Sequence, residues 1–198
     1  MDKIKEIFLK HGKIVNYKNN DIVFNETYEC NKVGYIIKGK MKISTFTESE
    51  GEITFNFLSK DEVFGDLLVF SSFPNFPGIA ECLENTSISY ISKNKLMELF
   101  QLDNIFLAEF LTLITNKGVV LKQKNKLFAH KNIEERLTYY LNHMAKKVDQ
   151  NTVYFKNVTD IARILSIPRP SLSRVLHKME KENKLIIEKH YIKIKIHP

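Results

Sequence analysis

The chain has 198 residues, of which 43% are hydrophobic and 27% charged, and its formal net charge is +7. These proportions are typical of an ordinary globular protein that buries a core. The first residues, MDKIKEIFLKHGK, contain no apolar run long enough for a signal peptide, and no uninterrupted apolar stretch of 18 residues follows. We therefore expect a cytoplasmic protein without a membrane segment.

Two cysteines, Cys30 and Cys82, are isolated in the sequence. Neither belongs to a C-x-x-C pair or to a cluster with the spacing of metal ligands, so we expect no zinc site, no iron–sulfur site and no cofactor. We interpret both as reduced structural thiols.

Positive charge is concentrated in the last third of the chain. Residues 1–130 contain 16 lysines, 16 acidic residues and no arginine, whereas residues 131–198 contain 14 basic and 7 acidic residues. This division predicts two domains, the second of which meets a polyanion. A solvated lysine-rich face is the alternative explanation. All four arginines lie in the second segment: Arg136, Arg163, Arg169 and Arg174.

Residues 12–92 are typical of short β-strands separated by turns. Gly39, Gly51 and Gly65 lie between segments rich in β-branched and aromatic residues, where turns need a positive φ. This spacing predicts a small antiparallel barrel or jelly roll. The segments are KIVNY, DIVF, VGYIIKGKMKISTF, GEITFNFL and TSISYIS.

Catalytic signatures are missing from the sequence. A metal-dependent barrel enzyme needs several histidines that line the barrel, and residues 12–129 contain none. The G-x-S-x-G, H-E-x-x-H and P-loop motifs are absent as well. We therefore expect a protein without enzymatic activity.

From about Gln101 to Ala129 the apolar pattern predicts a long helix with two stripes. One stripe, Phe106, Phe110, Leu113, Val120 and Leu127, can pack on the barrel while the other meets a second copy, which favours a dimer. Gly118 and Asn125 weaken the second stripe, so a core helix within one chain is the alternative. The second stripe follows heptad spacing and includes Asn125. Its other residues form the predicted dimer interface: Leu107, Leu111, Ile114, Gly118, Leu121 and Phe128.

Two helices and two short strands are predicted from residue 131 onward. Residues 131–147 form an amphipathic helix, and Thr159 can cap another helix that runs to about Leu165. The segment LIIEKHYIKIKI predicts two short strands around Lys189-His190, with Ile192, Ile194 and Ile196 in alternation.

Two prolines, Pro168 and Pro170, interrupt the apolar spacing of IARILSIPRPSLSRVL. A proline inside a helix costs about 3 kcal/mol but is tolerated in the first turn. One helix is therefore expected to end here and a second to begin near Pro170 and to run to about Lys181. Because a residue before proline avoids helical angles, Arg169 is the predicted entry residue.

The same segment matches the spacing of a helix-turn-helix, although glycine usually stands in the place of Ser166. The matching residues are Ala162, Ser166, Ile167, Leu172 and Val175. A short exposed helix that carries arginines suits the major groove of DNA, where arginine reads guanine O6 and N7. The alternative is a basic surface on an ordinary helix pair. The inward face of the second helix is predicted to contain Leu172, Val175, Leu176 and Met179.

On these motifs the chain resembles the Crp/Fnr family of transcription regulators over nearly its whole length. VGYIIKGKMKI, GEITFNFLSKDEVFGDLLVF and the heptad helix occur in the family's order, and RPSLSRVLHKMEKENKLI resembles its recognition helix leading into the wing. The resemblance implies an α+β fold with three segments. These are an N-terminal cyclic-nucleotide-binding-like β jelly roll (1–100), a long dimerisation helix and hinge (101–130), and a C-terminal winged helix-turn-helix (131–198).

The resemblance also implies partners. The expected protein is a homodimer that binds double-stranded DNA at a palindromic operator and is switched through the long helix, with RNA polymerase as a further candidate partner. The alternative is a barrel-type ligand sensor whose output is a protein partner. The predicted DNA-binding residues are Arg169, Ser171, Ser173, Arg174, Lys178, Lys184 and Lys189, with the two arginines near base edges and the lysines near phosphates.

The chain departs from the family pattern at the effector site. Cyclic-AMP-responsive members have a G-E-L turn followed by an Arg-Ser or Arg-Thr pair that clamps the cyclic phosphate. Here Gly65, Asp66 and Leu67 remain, but Phe76 stands near the position of the clamp. We therefore expect an effector that is not a cyclic nucleotide, and these four residues are the candidates for its pocket. The N-terminal cysteine cluster of the oxygen-sensing branch is also missing.

The chain also departs from the family pattern in the recognition helix. Ser173 and Arg174 match the family's E-x-x-S-R pattern, but Pro170 replaces the glutamate. Readout of cytosine N4 by that carboxylate is therefore not expected.

Overall fold

A computed structural model describes residues 2–48 and 51–195, so the predicted strand residue Ile196 lies outside the described residues. The chain divides into two compact units, Met1–Asn116 and Lys117–Pro198. The predicted division at residues 100 and 130 stays a prediction.

The first unit contains two four-stranded antiparallel sheets that form the predicted jelly roll. The sheets have the strand orders β1-β8-β3-β6 and β2-β7-β4-β5. The elements are α1 (Asp2–His11), β1 (Lys13–Tyr17), β2 (Ile22–Phe24), β3 (Lys32–Lys38), β4 (Lys40–Thr47), β5 (Gly51–Ser59), β6 (Val63–Phe64), β7 (Ile79–Cys82), β8 (Thr86–Ser92) and α2 (Lys93–Leu102). The sequence analysis missed α1, α2 and the short strands β6 and β7.

The glycine positions confirm the predicted turns. Gly39, Gly51 and Gly65 have φ values of +100°, +71° and +77°. At Gly39, between β3 and β4, a Cβ atom would also lie 2.3 Å from the side-chain oxygen of Thr86. A residue with a side chain would therefore be strained there by both its backbone and its neighbour.

Aromatic side chains fill part of the jelly-roll interior. The rings of Phe24 and Phe76 stack with centroids 3.8 Å apart, and Phe64 lies 5.8 Å from Phe24 and 6.0 Å from Tyr90. The Phe64 ring also packs against Gly34, where a Cβ atom would lie 2.2 Å from the ring. A second core lies between one sheet and the helices of this unit, and includes Phe8, Tyr35, Leu96, Phe106 and Phe110.

The long helix, α3 (Asn104–Ala129), begins three residues later than predicted. Gln101 and Leu102 end α2 instead, because the Asp103 carboxylate accepts hydrogen bonds from the backbone N–H groups of Ile105 and Phe106 at 3.1 and 2.9 Å. An aspartate that accepts from the first N–H groups of a helix acts as its cap.

The two predicted stripes of α3 differ in burial. From the first stripe, Phe106 and Phe110 are at most 1% exposed in the core of the first unit, with Leu113 packed against them. The expectation that the whole stripe packs on the barrel was wrong, because Val120 is 46% exposed and Leu127 is buried in the core of the second unit. From the heptad stripe, Leu111, Leu121 and Phe128 are 53%, 50% and 43% exposed. Leu107 and Ile114 of this stripe are partly buried against the core of the first unit. The other apolar residues of the stripe leave surface uncovered in a single chain, and the assignment of the stripe as the dimer interface stays a prediction.

By length and composition alone, α3 could cross a membrane. An 18-residue window within it has a mean hydropathy of 1.3, and 11% of that window is buried. Its apolar run is interrupted by Glu109 and Lys117, and the expectation of a protein without a membrane segment stays a prediction. A helix whose exposed apolar face pairs with a second copy can have the same length and mean hydropathy.

The second unit contains helices and one small sheet. After the end of α3 come α4 (Ile133–His143), β9 (Thr152–Tyr154), α5 (Val158–Leu165), α6 (Arg169–Lys181), β10 (Leu185–Glu188) and β11 (Tyr191–Ile194). The predicted hairpin is present as β10 and β11, and the sequence analysis missed β9, which pairs with β11. The core of this unit includes Leu137, Leu141, Ile161, Leu165 and Leu172.

Arg136 on α4 connects the ends of two other helices. Its Nη1 donates to the carbonyl of Leu165 at 3.2 Å, and its Nη2 donates to the carbonyl of His130 at 3.3 Å. Leu165 is the last residue of α5, and His130 directly follows α3. Carbonyls at helix C-termini have no intrahelical partner, so the guanidinium supplies the missing donors.

Candidate nucleic-acid interface

The helix α5 is capped by Asn157, and the prediction that Thr159 caps it was wrong. The Asn157 Oδ1 atom accepts from the backbone N–H of Asp160 at 2.8 Å, and its Nδ2 atom donates to the Asp160 carboxylate at 3.0 Å. These reciprocal hydrogen bonds cap the first turn of the helix. Asn157 lies two residues before Thr159, and Thr159 itself lies inside the helix. Asparagine is as good a cap as threonine, so both positions satisfied the sequence rule.

Ser166 forms the turn that follows α5. It has φ 53° and ψ 49°, the left-handed conformation, and its N–H bonds to the carbonyls of Ala162 and Arg163. The N–H of Ile167 also donates to the Ala162 carbonyl, at 3.0 Å. Glycine adopts this conformation without strain, which explains why a glycine is expected here and why serine is the departure.

The helix α6 starts at Arg169, one residue before the predicted start. Pro168 precedes it in an extended conformation (φ −60°, ψ 134°). Its carbonyl accepts from the N–H groups of Ser171 and Leu172. The prediction that Arg169 is the entry residue was therefore wrong, because Pro168 supplies the first acceptor. Pro170 lies in the first turn as expected.

The inner face of α6 agrees with the sequence prediction. Leu172, Leu176 and Met179 are buried in the core of the second unit, and Val175 is half-buried against it. These contacts fix the rotation of α6 about its axis, and this rotation leaves Arg169 and Arg174 exposed. Leu172→Ala or a similar change would remove this constraint together with the core packing.

The two arginines of α6 have no carboxylate partner within residues 2–48 and 51–195. Arg174 contacts only its own helix, with Nε 3.5 Å from the Pro170 carbonyl and Nη2 3.4 Å from the Ser171 hydroxyl. Ser171 and Ser173 are half-buried beside it. The planar guanidinium groups are therefore available for a bidentate contact from outside.

Lys178 and Lys184 are already paired with carboxylates. The Nζ atom of Lys178 lies 2.8 Å from Oε2 of Glu134, and that of Lys184 lies 2.5 Å from Oε1 of the same residue. Glu182 lies 3.7 Å from Lys178 and 2.8 Å from Lys184. The assignment of the two lysines as phosphate contacts stays a prediction, and such contacts would compete with these pairs.

Proton affinities in this cluster follow from the pairing. Hydrogen bonds from Lys178 and Lys184 hold the pKa of the Glu134 carboxyl below its usual value. Hydrogen bonds to Glu134 and Glu182 raise the pKa of Lys184 to about 12. Glu134 and Lys184 are therefore charged at neutral pH. The sequence analysis missed Glu134, because its partners lie 44 and 50 residues away along the chain.

Lys189 lies at the turn between β10 and β11 and is exposed. A hairpin turn with an exposed lysine can approach a phosphate without breaking a contact inside the protein. This position is the wing of the predicted DNA-binding segment.

The four effector-pocket candidates have different surroundings. Gly65 packs on Cys30, where a Cβ atom would lie 2.9 Å from Sγ. Asp66 is buried, Leu67 is 42% exposed, and Phe76 stacks on Phe24. Their assignment to one effector pocket stays a prediction.

The two thiols are buried, and burial raises the pKa of both Cys30 and Cys82. A raised pKa leaves little thiolate at neutral pH, so neither thiol is in an environment that favours reaction with oxidants. Within the described parts of the chain, no three His, Cys, Asp or Glu side chains are grouped to hold a metal ion.

Replacing Ser166 tests the left-handed turn. Ser166→Gly should raise the free energy of unfolding by about 1 kcal/mol, because glycine adopts this conformation without a steric penalty. Ser166→Ala is the matched control, since alanine lacks the hydroxyl but keeps the Cβ atom, and should bring no gain. Urea unfolding of the three proteins measures both effects, and an equal gain from alanine would show that φ is not the cause.

Residues 14–103 match the family model described as the cyclic nucleotide-binding domain. No curated protein matches the chain. CprK in complex with OCPA is 20% identical with a TM-score of 0.70, covering 98% of this chain and 91% of that chain. A transcriptional regulator from Thermotoga maritima is 23% identical with a TM-score of 0.59, covering 65% of this chain and 98% of that chain.

The catabolite activator protein of Thermus thermophilus is 14% identical with a TM-score of 0.57, and the match covers 98% of this chain and 91% of that chain. At these identities the likeness concerns the fold. The first unit thus contains the segment that matches the cyclic nucleotide-binding domain. The fold of the chain is similar to those of CprK and the catabolite activator protein over 98% of its length, and to that of the Thermotoga maritima protein over 65%.

Proposed function

We propose that the chain is a homodimeric transcriptional regulator of the Crp/Fnr family that binds double-stranded DNA in the cytoplasm. It acts by binding and not by catalysis. The observation that carries the proposal is the outer face of α6. This face presents Arg169 and Arg174, two of the four arginines in a chain of 26 lysines, and neither has an acidic partner in the described residues.

In this proposal α5, α6 and the β10–β11 hairpin form a winged helix-turn-helix. The first turn of the second helix of this motif reaches base edges in the major groove, and α6 carries Arg169 there and Arg174 one turn later. Phosphate accepts lysine as well as arginine, but the guanine O6/N7 edge is best matched by a planar fork. Arg169 and Arg174 are therefore assigned to base readout and Lys189 to the phosphate backbone.

Two single substitutions separate these roles. Arg174→Ala should cost about 1–3 kcal/mol of binding free energy and relax the preference at one base pair of each half-site. Lys189→Ala should weaken binding to all duplexes alike and lower the salt slope by about one unit per chain. Selection from a randomised operator library at two salt concentrations measures both.

The outcomes of this selection discriminate among the functions. An unchanged base preference in the Arg174 variant would reduce that residue to a phosphate contact. A wild-type chain that holds no duplex even at low salt would refute the DNA-binding proposal and favour the barrel-type sensor with a protein partner.

Dimerisation is assigned to the heptad stripe of α3, because its exposed leucines and phenylalanine would be covered by the same stripe of a second copy. Leu121→Glu should give a monomer of 23.2 kDa that no longer holds operator DNA. Leu121 is half-exposed in the single chain, so the change should not disturb folding.

Val119→Glu is the matched control for that substitution. Val119 is 48% exposed on the same helix but belongs to neither stripe, so this variant should stay dimeric. Light scattering measures the mass of both. A dimeric Leu121 variant would refute the assignment of the heptad stripe as the dimer interface. If both variants were monomeric, a negative charge anywhere on the exposed part of α3 would be enough to prevent dimerisation.

The effector is proposed to be a molecule other than a cyclic nucleotide. A cyclic phosphate inside a barrel needs a charge-assisted partner, best supplied by a bidentate arginine. Residues 1–130 contain no arginine, and Phe76 stands near the position of the family's clamp, stacked on Phe24. Calorimetry with cAMP and cGMP should therefore detect no binding at micromolar concentration, and a saturable heat in that range would refute the assignment.

A further inference from the structure

Glu134 holds two lysines of the proposed interface at the same time. Each oxygen of its carboxylate accepts from a different lysine, Oε2 from Lys178 and Oε1 from Lys184. Lys178 belongs to α6, and Lys184 lies between α6 and the hairpin. The Glu134 side chain is 26% exposed, whereas those of Lys178 and Lys184 are 59% and 41% exposed. The carboxylate is therefore the least exposed member of the group.

The charges of this cluster cancel. Glu134 and Glu182 carry two negative charges and the two lysines carry two positive charges, all within the contact distances given above. A phosphate that approached either lysine would also approach the Glu134 carboxylate, and the two anions repel each other. Binding of DNA by these lysines is therefore an exchange of one anion for another.

We propose that Glu134 is an affinity-determining residue that competes with DNA phosphate for Lys178 and Lys184. This inference rests on the proposed DNA-binding function. The exchange weakens the sequence-independent part of binding, which depends on lysine–phosphate contacts. Base readout is less affected, because Arg169 and Arg174 have no carboxylate partner in the described residues. Glu134 thereby shifts the balance of the interface from phosphate contacts towards base contacts.

The test is Glu134→Gln, which keeps the length of the side chain and one acceptor oxygen but removes the charge. The full-length variant should bind a duplex of arbitrary sequence roughly 3- to 30-fold more tightly, the range expected when two exposed ion pairs no longer have to be broken. The slope of log affinity against log salt should steepen by about 0.9 for each lysine that gains a phosphate. Fluorescence anisotropy across a salt series measures both quantities.

Glu135→Gln is the matched control. Glu135 lies in the same turn of α4 and loses the same charge, but its Oε1 atom accepts from Asn132 at 2.8 Å and pairs with neither lysine. The duplex affinity of the Glu135 variant should change only by the small amount that one unit of net charge produces at a distance. Equal gains for the two variants would overturn the proposal, because the effect would then be one of net charge.

A double-mutant cycle guards against a structural role of Glu134. Lys178→Gln should weaken duplex binding in both backgrounds, but by a larger factor in the Glu134→Gln background, where Glu134 no longer competes with phosphate for this lysine. A Glu134 variant that melts earlier and binds duplex more weakly would overturn the proposal in favour of a structural role. Failure of the wild type and of every variant to bind duplex at low salt would overturn the proposed function itself, a different result from equal gains.

Discussion

The guanidinium of Arg136 and the left-handed residue Ser166 together determine where α6 begins. Arg136 donates to the carbonyl of Leu165 at the C-terminus of α5, and the next residue, Ser166, ends the helix in the left-handed conformation. Pro168 then supplies the first acceptor of α6. Because these three constraints follow one another within a few residues, the chain has little freedom between the two helices. The exposed arginines, the buried leucines and the lysines of the interface all depend on this junction.

Much of this junction could be predicted from the sequence, because it depends on the conformational preferences of single residues. A proline restricts its own φ and removes a donor, so two prolines in a helical pattern predict a break wherever they occur. The buried face of α6 follows from helical spacing, and the positive φ of Gly39 follows from a glycine between two strands. The jelly roll was predictable for the same reason, since short alternating strands carry their pattern within a few residues.

Other features depend on neighbours that the sequence does not place side by side. The pairing of Glu134 with Lys178 joins the start of α4 to α6 across the folded unit, and acidic residues in a first helical turn are common for reasons of the helix dipole alone. The break between α2 and α3 was missed because both helices are apolar and a single Asp103 separates them. The strand β9 has only three residues, and its pairing with β11 defines it.

The aromatic interior of the jelly roll has a consequence for any ligand that binds there. The stacked pair of Phe24 and Phe76, with Phe64 beside it, occupies space that a guest would need. A guest therefore binds only a conformation in which these rings have moved apart. Its apparent association constant equals the intrinsic constant multiplied by the population of that open state. Substitutions that loosen the stack would strengthen binding without adding a single contact to the guest, at the expense of the stability of the empty barrel.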